Sequence, residues 1–284
     1  MSLAPGIDET TTAYDADLAP IDGEPQQRLA DFITEASLML GAGSAVMYQL
    51  AMKGVGLGVA EHSTALVRPM DRLRTTLTYV YVMILGTDEE RAVVTRLVNK
   101  AHVPIRSTGR YNAFDPDLQL WVAVTLAQNT WLHEKMFGEF DPATREQVYR
   151  DGWIFGTALQ VRPEMWPRTY ADYQAYWEDV LDNRLEQDPL VQAYAKRLLS
   201  AEGMPLLVKP LVMLQNLLTR GNLDPRARAV LALPWSRRDQ RIYDLFFAVL
   251  VPVYRRTPRW LRTLHGRLVL RDARRRIHGN KHLI

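Results

Sequence analysis

The chain has 284 residues, 47% of them hydrophobic, and a formal net charge of +3, enough apolar material for a large core without disulfides or a structural metal. It has no cysteine, which excludes thiolate nucleophiles, iron–sulfur clusters and cysteine-ligated zinc. Its longest nearly uncharged runs, Leu38 to Met52 and Leu77 to Gly86, fall short of the roughly 20 residues a bilayer demands and read as buried helices.

In chain order, residues 1–25 form an acidic arm with neither a basic n-region nor an apolar h-region, expected to be poorly ordered and not a secretory leader. Gln26 to Met52 reads as one or two apolar helices, in which Gly41, Ala42, Gly43, Ser44 and Ala45 would let a neighbouring helix or a flat cofactor approach the backbone. Gly41, Gly43, Gly54, Gly56 and Gly58 complete no phosphate-loop pattern, and no strand precedes them. From Pro69 to Leu85 the pattern predicts a helix, with Pro69 in the first turn and Gly86 at the C′ position. Arg72, Thr75, Thr76 and Tyr79 form a polar stripe on it, while its second half is apolar nearly all round.

Thr87-Asp88-Glu89-Glu90 has the form of a capping box and starts a helix that Pro104 ends, with Val94, Val98 and His102 on one face. Asp115-Pro116 opens a helix carrying Leu118, Trp121, Val122, Thr125, Leu132 and Met136, and Asp141-Pro142 repeats the device. Beyond Pro167 come an aromatic helix with Tyr173, Tyr176 and Trp177, an apolar one near Leu206 to Leu218, and another over Arg238 to Val251. No period-2 run of strand length and no fixed-period repeat occurs. The expectation is an all-α fold: a single multi-helix bundle domain over residues 26–254 with a buried cofactor pocket, followed by a basic tail over 255–284. That tail holds ten Lys or Arg against the lone Asp272.

Only six histidines are available for chemistry. No E-x-x-H pair and no HExxH occurs, which removes the di-iron carboxylate bundle and the zincins. His278 and His282 are spaced i, i+4 but lie among cations without a third ligand. His133 is placed on a half-exposed helix face. His102 should point inward, either as a buried imidazole bonded to a backbone carbonyl or as a haem ligand through its neutral Nε2. Arg72, on an otherwise apolar helix, needs an anion: a carboxylate such as Asp71, Asp88 or Glu61, or a haem propionate, unless it meets solvent.

GVAEHS at Gly58 to Ser63, RLRTT at Arg72 to Thr76, Gly86, His102, GRYNAFDP at Gly109 to Pro116, Trp121 and LPWSRRDQRIYDLFF at Leu233 to Phe247 stand in the order of the latex-clearing-protein and MpaB-like oxygenase family. The chain resembles that family from about Gln26 to Tyr254. The resemblance implies an all-helical protein with haem b among its helices, acting oxidatively on carbon–carbon double bonds of prenyl chains. It implies His102 as proximal iron ligand, with Arg72 and Thr76 in the haem pocket. Two positions depart from the pattern: Thr75 stands where latex-clearing proteins carry a lysine, and Ala123 where relatives often carry a histidine.

The expected function is therefore a haem b-dependent oxygenase taking O2 and an apolar, prenyl or lipid-like substrate. Its iron would sit on His102, with Arg72 and Thr76 serving both catalysis and cofactor binding, and with His62 as the next candidate for the cofactor. The rival is a non-catalytic helical protein that binds a lipid, a membrane or a partner and has lost the haem. No nucleic-acid module accompanies the arginines. Residues 255–284 either pack on their own domain through Trp260 and the leucines or lie on an anionic leaflet. A cytoplasmic protein, peripheral at the inner face of the membrane, is expected.

Overall fold

A computed structural model describes residues 18, 20–63, 65–107, 109–200, 202 and 205–279. Most of the acidic arm, His282 and the last five residues lie outside that range. The chain is mostly all-helical, with a two-strand antiparallel hairpin as its sheet among the described residues, so the expected fold class holds. No helix among the described residues is long and apolar enough to cross a membrane.

The helices are α1 (Leu29–Phe32), α2 (Ala42–Ala51), α3 (Lys53–His62), α4 (Pro69–Leu85), α5 (Asp88–His102), α6 (Pro116–Gln128), α7 (Trp131–Phe137), α8 (Pro142–Asp151) and α9 (Ile154–Thr157). After them come α10 (Tyr170–Asp179), α11 (Pro189–Leu198), α12 (Lys209–Gly221), α13 (Pro225–Val230), α14 (Arg237–Arg256), α15 (Arg259–Arg262) and α16 (Leu264–His278). The hairpin, β1 (Arg106–Ser107) and β2 (Tyr111–Asn112), joins α5 to α6 and pairs Ser107 with Tyr111.

Local chemistry sets most boundaries. Asp115, Asp141 and Asp188 accept backbone N–H bonds at helix starts whose first residue is proline. Thr87 and Glu90 close a reciprocal capping box on α5. Gly86 ends α4 with extended backbone, not in the left-handed region expected of it; a Cβ there would come 2.5 Å from the Val82 carbonyl oxygen, so crowding accounts for the glycine. The helix expected to run through Leu132 and Met136 breaks after Gln128 into α6 and α7. Both halves bury apolar side chains, so the pattern continues across the break.

α2 and α6 pack against each other in the centre, where Trp121 donates from Nε1 to the Tyr48 carbonyl at 2.9 Å and stands 5.1 Å from Trp177. Gly41 and the small residues of α2 serve neighbouring segments, not a cofactor: a Cβ on Gly41 would strike Asn129 and Leu132, and one on Gly43 would strike Thr219. The basic C-terminal segment packs on its own domain, but not through Trp260. Gly266, Val269, Leu270, Ala273 and Ile277 turn inward, and α16 lies along α4 with Arg74 paired to Asp272 at 2.7 Å.

Candidate functional site

Residues of α3, α4, α5, the hairpin and α6, with Phe155 of α9 and Leu159 just after it, line a cavity of about 390 Å³. Gly54, Gly58 and His62 line it at intervals of four, one face of α3. A Cβ on Gly54 would stand 2.9 Å from Leu118, and one on Gly58 3.3 Å from Ile105, so these glycines let α3 come close to the opposite wall. Val55, Val59, Val98, Val122, Leu126 and Phe155 make much of the lining apolar.

His62, Arg72, Thr76 and His102, the four residues singled out from sequence, all line this one cavity, and Thr75 lines it with them. His102 ends α5, and its ring stands edge-on to Phe114 with centroids 6.1 Å apart. Its Nδ1 is buried without a hydrogen-bond partner, and neither ring nitrogen bonds another group among the described residues. Burial first, and the Arg72 guanidinium second, hold the imidazole below its ordinary pKa. The neutral ring therefore keeps a lone pair for a metal or a hydrogen-bond donor.

Arg72 sits in the exposed first turns of α4, not on the buried stretch, which begins at Leu77. It has no ion pair or hydrogen bond from its guanidinium among the described residues. Of the three carboxylates that could have neutralised it, Asp88 is paired with Arg91 at 3.1 Å and Glu61 with Arg110 at 2.7 Å, and Asp71 makes no ion pair with it among the described residues. An unneutralised cation thus stands at the cavity rim beside a neutral imidazole. Thr76 donates its hydroxyl to the Arg72 carbonyl at 3.0 Å, and Thr75 to that of Asp71 at 2.9 Å. In these rotamers both hydroxyls can only accept from a ligand.

Sequence reasoning missed the polar wall opposite. The Tyr111 hydroxyl donates to Glu61 at 2.5 Å and lies 2.9 Å from His62 Nε2, so it accepts from that nitrogen when it is protonated. The Tyr111 bond is the main reason the Glu61 carboxyl is held below its ordinary pKa, and the same bond pushes the Tyr111 phenol up. His62 is thereby oriented by Tyr111 and is not free to turn its Nε2 to a ligand. Both GVAEHS and GRYNAFDP were conspicuous as segments, but their pairing across the cavity needs the hairpin that presents Tyr111. Gln119, also on the wall, is held by the Ala113 carbonyl at 2.7 Å and by Gln160.

Ala123 does not line the cavity. It is fully buried against Gly156 of α9, where an added Cβ would come 3.2 Å from the Ala123 Cβ. A histidine at 123 would have no room in this packing. Among the described residues no group of three or more His, Asp or Glu could hold a metal ion.

The family model described as "ER-bound oxygenase mpaB/B'/Rubber oxygenase, catalytic domain" matches residues 31–263. The chain is 36% identical over 255 residues to the uncharacterized proteins Mb2261 of Mycobacterium bovis and Rv2237 of Mycobacterium tuberculosis, covering 86% of this chain and 99% of each relative. No solved structure matches the chain.

Proposed function

Since the chain belongs to the mpaB/B'/rubber oxygenase catalytic-domain family, an oxygenase acting with O2 on an organic substrate, we propose that it binds haem b in the cavity and oxidises an apolar, prenyl or lipid-like compound there, cleaving a carbon–carbon double bond. The observation that carries this reading is the juxtaposition, on one apolar cavity, of a neutral imidazole without a protein partner and a guanidinium without a carboxylate. Those are two groups with which a protein can hold a haem: one axial nitrogen and one cation for a propionate. A haem iron held by one imidazole asks for no cluster of protein ligands.

Haem, when bound, supplies the dioxygen chemistry that no side chain here can perform. The chain's own residues bind and orient. His102 would hold the iron through Nε2, and Arg72 would neutralise a propionate at the rim. Thr76 and Thr75 would offer hydroxyl oxygens beside the cofactor. The Glu61–Tyr111–His62 chain fixes one polar edge, and the valine and leucine walls exclude water from an apolar substrate.

The test is the absorbance spectrum of protein purified from cells supplied with haem. A Soret band at about one haem per chain is the expected result. A colourless, well-folded protein that also refuses added hemin overturns the proposal in favour of a lipid-binding scaffold, the reading that Thr75 in the lysine position and the packed Ala123 favour.

A further inference from the structure

α14 is apolar on two faces. Tyr243, Phe247 and Tyr254 point into the molecule, where the helix packs on α7 and α12. Ile242, Leu245, Val249 and Val253 recur at helical spacing on a different face and are 43%, 65%, 58% and 58% exposed. At 100° per residue Arg238 and Arg256 fall on that same outer stripe, one at each end, about 27 Å apart along the axis. Asp244 falls off it to one side. Beyond the bend at Pro258 the exposed apolar series continues with Trp260, Leu261, Leu264 and Leu268.

From this geometry we infer that the outer stripe of α14, continued through α15 and the start of α16, is a docking surface for an anionic lipid bilayer. The inference stands apart from the oxygenase reading, because α14 does not line the cavity.

Charge identifies the occupant. Arg237, Arg238 and Arg241 at the start of α14 are exposed and make no ion pair among the described residues. The same holds for Arg255, Arg256 and Arg259 around the bend, and for Arg267, Arg271 and Arg275 on α16. Asp244 is the one exposed acid between 237 and 279, since Asp239 caps α14 and Asp272 is taken by Arg74. A second copy of the chain seated on this face by two-fold symmetry would oppose arginines to arginines. A bilayer with anionic headgroups takes both parts of the pattern, receiving the aliphatic side chains and Trp260 at the acyl boundary while the guanidinium groups meet phosphates.

The packing of α16 also assigns the lipid-facing residues. Val269, Leu270, Ala273 and Ile277 are used against the domain, so the basic C-terminal segment is no free amphipathic arm, and the surface is centred on α14.

Flotation of the full chain with phosphatidylcholine vesicles, with and without phosphatidylglycerol, tests the inference. Partitioning should be about tenfold or more stronger with the anionic lipid and should fade with salt. Leu245→Asp with Val249→Asp should lower it by about tenfold, and Arg238→Gln with Arg256→Gln should remove most of the preference for anionic lipid. Thermal melts and circular dichroism accompany each variant, and the arginine pair, wholly on the surface, keeps the test open should the aspartates disturb folding. Equal binding to both vesicles, or variants that float like the parent, overturns the proposal. So does a parent that sediments as a dimer and becomes monomeric on the Leu245 and Val249 changes without binding vesicles.

Discussion

His102 and His133 are the same side chain in two surroundings. Both have a buried Nδ1 without a partner, and in both burial is the first cause of a lowered pKa. His133 is stacked on Phe32 at 4.1 Å and flanked by Phe137 and Phe140 at 4.7 and 5.5 Å, while His102 borders a cavity. A neutral, unsatisfied imidazole is thus no mark of a site in itself. What separates the two is space in front of the ring: His102 lines a cavity that Arg72 also lines, whereas His133 is closed in by aromatic rings. His133 was expected on a half-exposed face; it is 6% exposed, because the aromatic rings of α1, α7 and the following turn close over it.

The comparison is broken most sharply by replacing each ring in turn. His102→Ala should abolish stoichiometric haem retention with the far-ultraviolet circular dichroism nearly unchanged, whereas His133→Phe should keep a parental Soret band. Haem lost in the second variant and kept in the first would reverse the assignment.

The next effect is on stability. The His133 imidazole has a pKa of about 4 in the folded chain against an ordinary value of 6.5, its burial reinforced by Arg262 and Arg259. The unfolded chain therefore takes up a proton first as pH falls. The contribution is fully present above about 6.5 and is lost between there and about 4, reaching roughly 3 kcal/mol. Urea titrations across that interval should show a shallower fall for His133→Phe than for the parent; parallel curves would remove His133 as the cause. His102 contributes in the same direction and remains in both proteins.

A smaller effect is expected at the rim. Arg72→Leu should weaken haem binding by about ten- to a hundredfold, the loss of one charge-assisted bond. Arg96→Leu should leave it unchanged, since that arginine is exposed on α5 and does not line the cavity. Arg91 is unsuitable as the control because it holds the Met83 carbonyl at 3.0 Å and Asp88. Equal hemin titrations for the two leucine variants would take Arg72 out of the site. Least of all, Tyr111→Phe should let the Glu61 carboxyl rise toward its ordinary pKa, read by carbon NMR titration, with the haem stoichiometry retained.

The helix starts were legible in sequence because their determinants are local. Asp-Pro pairs and the Thr87–Glu90 box act within one turn, and α4 begins and ends at Pro69 and Leu85 as the pattern predicts. The break between α6 and α7 was not, since burial on both sides keeps the helical period running through it. The partners of Gly41 and Gly43 lie on α7 and α12, and those of Gly54 and Gly58 on the cavity's far wall; such pairings depend on tertiary placement, which single-sequence periodicity does not encode. For the same reason His102 and Arg72 could be picked out by residue type and segment, while the Glu61–Tyr111–His62 chain, assembled from α3 and a two-residue strand, could not.

Glu90 links the two ends of the molecule's behaviour. Its carboxylate accepts from the Thr87 backbone N–H at 3.0 Å to start α5 and accepts Arg274 of α16 at 3.0 Å, with its side chain 4% exposed. α5, fifteen residues long, ends at His102. Removing the last helix would strand a buried carboxylate at the head of the helix that carries the imidazole, a loss of several kcal/mol in comparable settings. For anyone trimming this chain to a minimal domain, the arginine-rich α16 is a keystone whose loss would be felt first as misfolding.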